Sequence, residues 1–153
     1  MAPSTTCLIL GAIVNIGIVC HSATAQTSEP DVDAFVEALR LAAPPDSLDD
    51  GMYSEWQVLP ETLQGWSEQC LERSVTPEQF EADPEMARSV VGCVAEWQLA
   101  EQFSASGDEL TAVRGAACWW MTGEASGCES GFTADYVEQV LNFYQEQLRS
   151  PQS

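Results

Sequence analysis

The sequence predicts an all-α protein, a compact bundle of four main helices plus a short helical turn, stapled by two disulfides. Apolar side chains recur at intervals of three and four along most of the chain, capping signals stand directly before several of those stretches, and four cysteines lie outside an N-terminal leader. No run of alternating residues pairs with another to make a sheet.

Residues Cys7 to Cys20 form a run of 14 apolar or small residues broken only by Asn15, too short to span a bilayer comfortably. His-Ser-Ala-Thr-Ala follows, placing Ala23 and Ala25 at the minus-three and minus-one positions of an A-x-A cleavage site. Residues 1–25 therefore read as a signal peptide, with Gln26 the first residue of a single acidic helical domain, 26–153. The segment before the apolar run, MAPSTT, has no Lys or Arg, which leaves an uncleaved anchor as the alternative.

After a polar start, Val32, Phe35, Val36 and Leu39 mark a first helix that Pro44 and Pro45 stop. Asp46 to Tyr53 is a loop by composition. Trp56, Leu59, Leu63, Trp66 and Cys70 then repeat at helical spacing, with Pro60 suited to a first turn, and Met52 to Leu59 is assigned to loop and helix rather than to a lone strand. Thr76-Pro77-Glu78-Gln79 is a capping box with proline at the first helical position, and Asp83-Pro84-Glu85 repeats the device, so a short helical turn feeds a long helix. That helix carries Met86, Val90, Cys93, Val94 and Trp97 as one stripe and runs out at Ser104 to Gly107. Asp108 caps the next, with Leu110, Val113, Ala117 and Met121 as its stripe and Gly123 as its C-cap. A last helix starts at Thr133, its buried face marked by Phe132, Tyr136, Val137, Val140, Leu141, Tyr144 and Leu148, with Asp135 and Arg149 complementing its dipole.

Removing the leader also removes Cys7 and Cys20, leaving Cys70, Cys93, Cys118 and Cys128, an even number suited to an oxidising compartment. Three pairings are open. Cys118 and Cys128 bracket a short glycine-containing loop and Cys70 and Cys93 lie in successive helical segments, which favours those two pairs. No C-x-x-C and no paired short spacing points to redox or zinc chemistry.

Charge excludes several partners. The chain carries 24 carboxylates against five Arg and no Lys, a net charge of −19, so it is repelled by nucleic acid and by anionic lipid, and a charged partner is expected to be a basic protein. The plainer reading is that the carboxylates only keep the surface solvated. The single histidine, His21, belongs to the leader. Triads, Cys-His pairs, histidine metal sites and Schiff-base lysines are thereby excluded, and no cofactor is implied. Asp46-Ser47-Leu48-Asp49-Asp50-Gly51 opens like a calcium loop but has Leu48 at the third place and Gln57 at the twelfth, so two oxygen ligands are missing.

Trp119 and Trp120 are adjacent on a helix and point about 100° apart, so both cannot enter one core. Either Trp120 packs inward while Trp119 covers the loop closed by Cys118 and Cys128, or Trp119 with Met121 forms an exposed apolar surface for a partner. The functional expectation is a non-catalytic, periplasmic or secreted protein-binding or accessory protein, an inhibitor of a basic partner being one form it can take. The alternatives are a small cell-wall glycan hydrolase using two carboxylates and a structural envelope component.

Overall fold

The structure is a computed structural model that describes residues 28–45 and 50–150. The signal peptide assigned to residues 1–25, and most of the calcium-like loop, lie outside the described residues. Among the described residues six helices follow in order: α1 Val32–Ala42, α2 Pro60–Leu71, α3 Pro77–Ala82, α4 Pro84–Ser106, α5 Glu109–Thr122 and α6 Gly131–Arg149. The all-α class and both disulfides are as the sequence predicts. Five helices of eleven or more residues and the short α3 stand where a count of four and a turn was expected, each of the five on a stretch that apolar spacing marks as helical.

Side chains open most of the helices. Asp31 accepts from the Ala34 N–H, Asp83 from Met86 and Asp108 from Thr111. Thr76 and Gln79 complete the reciprocal capping box at α3. Gly107 and Gly123 close α4 and α5 at φ 66° and 80°, left-handed values that glycine adopts without strain.

The core forms where α1 packs on α6 and α4, and α5 on both α4 and α6. Phe35, Leu39, Val90, Val113, Val137 and Tyr144 are among its fully buried side chains. Burial of this apolar surface is the main force holding the helices together. α3 joins through Phe80, which is completely enclosed. α2 is the least embedded of the long helices: only Leu63 and Ser67 are buried in it, and the Cys70–Cys93 bridge ties it to α4.

Two expectations need correction. Trp56 and Leu59 are not helical. Tyr53 and Val58 instead form a single antiparallel bridge, each N–H donating to the other's carbonyl at 2.9 Å, around a turn with Ser54 and Gln57 at positive φ. Pro60 explains the boundary, since it has no N–H to give and disfavours helical geometry in the residue before it. Phe132 is 73% exposed rather than buried, and Leu148 is 47% exposed. Both lie in the end turns of α6, where the helical period continues but no neighbouring element covers the side chain.

Candidate functional site

Four of the five tryptophans gather on one side of the molecule, drawn from three helices. Trp66 of α2 stacks on Trp119 of α5 at a centroid distance of 6.2 Å and meets Trp120 at 4.9 Å, tilted by 39°. Trp97 of α4 meets Trp119 edge-on at 5.7 Å. The rings thus run Trp120, Trp66, Trp119, Trp97, and the separations fall in the range where offset and edge-to-face contacts are favourable.

The Cys70–Cys93 disulfide sets this arrangement. Trp66 stands one turn before Cys70 on α2 and Trp97 one turn after Cys93 on α4, and Trp119 touches both rings, so the two tryptophans project on the same side of the bridge. The bridge cysteines are themselves half-buried, whereas Cys118 and Cys128 are enclosed in the core, where their bridge closes the loop between α5 and α6. Trp97, expected as part of the buried stripe of its helix, is 47% exposed in the middle of α4. The stripe is interrupted because the ring turns toward Trp119 at the surface instead of into the α1–α4 contact.

Trp119 and Met121, expected together as one surface, part company. Residues two apart on a helix point about 200° around the axis from each other. Trp119 joins the tryptophan row, and Met121 lines a separate cleft of about 180 Å³ together with Trp56, Trp66, Trp120 and Tyr136. Trp119 and Trp120 are both half-buried, and Trp119 is seated against Trp66 and Trp97. Trp66 and Trp120 belong to both features. Trp56 is locked in the cleft wall, its Nε1–H donating to the Val36 carbonyl at 2.8 Å. Sequence reasoning placed Trp66 and Trp97 in core stripes. The signal that could have found them is the mirrored four-residue spacing of Trp66 to Cys70 and Cys93 to Trp97, which acquires meaning only once those cysteines are paired.

The electrostatics around these features are set by unpaired acid. Three of the five arginines are ion-paired within the described residues: Arg40 with Glu37 and Glu55, Arg88 with Asp33 and Glu37, and Arg114 with Glu138. The hydrogen bond from Arg40 holds the Glu37 carboxyl below the ordinary carboxylate range, and those from Thr111 do the same for Asp108. Glu96 and Glu101, beside Trp97 and four residues beyond it on α4, are exposed.

A second polar cluster fastens the N-terminal segment. The Tyr144 hydroxyl accepts from the Asp31 N–H at 2.8 Å and donates to Glu109 Oε1 at 2.6 Å, while Ser28 Oγ–H donates to Glu109 Oε2 at 2.6 Å. Burial, reinforced by the Glu109 carboxylate, pushes the Tyr144 phenol above its ordinary value, and burial alone does so for Tyr136. These bonds tie the segment before α1 to α5 and α6.

Among the described residues no His, Cys, Asp and Glu side chains are grouped to hold a metal ion, and no helix is long and apolar enough to cross a membrane. No protein-family model matches the chain, and neither a curated protein nor a solved structure does.

Proposed function

We propose that this chain is a non-catalytic, exported binding protein whose tryptophan face engages a basic protein partner. The observation that carries the reading is Trp97, 47% exposed in mid-helix and resting edge-on against Trp119, on a chain of net charge −19. A large aromatic ring held in place at the surface supplies contact area at low entropic cost, and arginine or lysine from a partner gains cation–π attraction over its face. The surrounding field steers such a partner in and discriminates against nucleic acid. Two intramolecular disulfides are compatible with an oxidising compartment outside the cytosol, which fits a leader ending at Ala25.

The test compares wild type with W97A, immobilised and exposed to extracellular and envelope extracts. The expected result is a discrete basic protein retained by wild type, lost from W97A, and released as salt rises from about 0.1 M to about 1 M, which shortens the Debye length from about 10 Å to about 3 Å. Retention that is insensitive to salt, or identical for W97A, removes the reading.

A further inference from the structure

The cleft beside the tryptophan row has a composition that selects its occupant. Its volume of about 180 Å³ exceeds the roughly 150 Å³ that suffices for a benzene-sized guest. Four aromatic side chains, Trp56, Trp66, Trp120 and Tyr136, share its wall, and among the described residues no charged side chain lines it. The wall is prearranged, because Trp56 is fixed by its bond to the Val36 carbonyl and Trp66 packs on Trp120 at 4.9 Å.

Three classes of guest can be compared. A neutral apolar molecule suits the wall but gains nothing from the field of a protein at −19. A lysine or arginine head group is drawn by that field but brings three to five N–H donors, which lose their water on entry. Among the described residues the cleft offers them no carboxylate, and the one buried side-chain acceptor without a partner in its wall, Gln57 Oε1, can satisfy only one of those donors. A quaternary ammonium satisfies both demands: it is cationic, its surface is methyl groups with no donor to satisfy, and aromatic faces attract it. We propose that the cleft binds a small, water-soluble trimethylammonium compound. A free solute is preferred to a lipid head group because a strongly acidic protein is disfavoured at anionic membrane surfaces. This ligand is separate from the basic protein partner, which meets the Trp97 face.

Choline and its uncharged isostere 3,3-dimethylbutan-1-ol, which replaces nitrogen by carbon, are the probes. Both are titrated into the oxidised protein while the tryptophan indole N–H resonances are followed. Choline is expected to shift the Trp66 and Trp120 signals saturably, with at least tenfold tighter binding than the isostere. The variant M121K, which places a cation at the cleft wall, should weaken choline at least tenfold, while M121Q, similar in length and neutral, should stay within about threefold of wild type. Equal affinity for the two probes would show an apolar pocket indifferent to charge and overturn the proposal. So would the absence of any saturable shift up to about 10 mM. Binding to phosphatidylcholine vesicles without a response to free choline would assign the site to a membrane and overturn the free solute as occupant.

Discussion

Tyr144 and Tyr136 offer a controlled comparison, because both lie in α6, both are buried, and the same substitution acts on them through different physics. Replacing Tyr144 by Phe deletes one oxygen and with it two hydrogen bonds. The bond donated to the Glu109 carboxylate is charge-assisted, a class worth about 1.5 to 3 kcal/mol. The bond accepted from the Asp31 N–H is worth less, about 0.5 to 1 kcal/mol, since that amide is only partly buried and water can replace the lost partner. The ring and its packing are retained, so no apolar area is lost. The expected cost is about 3 kcal/mol, or about 10 °C in Tm at roughly 3 to 4 °C per kcal/mol for a domain of this size. Tyr136 lines the cleft and makes no hydrogen bond to a described residue, so Tyr136→Phe should cost less than about 0.5 kcal/mol. Urea denaturation followed by far-UV circular dichroism at neutral pH measures both. Equal costs, or a larger cost at Tyr136, would refute the argument that the buried hydroxyl of Tyr144 holds α1, α5 and α6 together.

Both phenols are raised in the folded state, so folding retains their protons where the unfolded chain releases them. The phenols should therefore leave stability flat from about pH 8 to about pH 10 and make it fall as pH rises further, with a shallower fall in Y144F and in Y136F, readable from urea midpoints between about pH 8 and pH 11. Gly65→Ala and Gly92→Ala should each stabilise by about 0.5 to 1 kcal/mol, since a Cβ meets nothing within 4 Å at either helical position. Gly123→Ala, at φ 80°, should instead cost about 1 kcal/mol in the same thermal melts. At α3, Thr76→Ala should cost about 1 kcal/mol through loss of the cap, and Phe80→Ala about 3 to 5 kcal/mol through the cavity left in a fully enclosed site, an ordering that chemical denaturation resolves directly.

What could be read from the sequence was whatever is decided locally. The caps at Thr76, Asp83 and Asp108, the stop at Gly123 and the proline-limited start of α3 and α4 depend on three or four adjacent residues, and each stands where the residues place it. Of the three cysteine pairings left open, the one that spacing favours is the one formed. Misreadings arose where burial depends on a distant neighbour. Trp97 has the periodicity of a core residue and is exposed, Phe132 has the same four-residue relation to Tyr136 as a buried side chain and is uncovered, and Trp56 is buried by a turn instead of a helix. A helical period identifies a face but not what reaches it. Trp119 and Met121 lie apart for a different reason, since helix geometry turns residues two apart to different faces, one joining the tryptophan row and the other the cleft. Trp66 and Trp97 entered the site only through a disulfide that brings α2 beside α4.

The contact between the first and last helices bears on the order in which the chain can fold as it is made. α1 rests on α6, and the Asp31 amide reaches Tyr144 across a sequence separation of 113 residues. A growing or threading chain therefore carries the α6-facing side of α1 uncovered until α6 has emerged, and contacts of this span form late and slowly. Cys70 and Cys93, by contrast, can meet as soon as α4 appears. The domain closes from its middle outward, and the final helix acts as the latch.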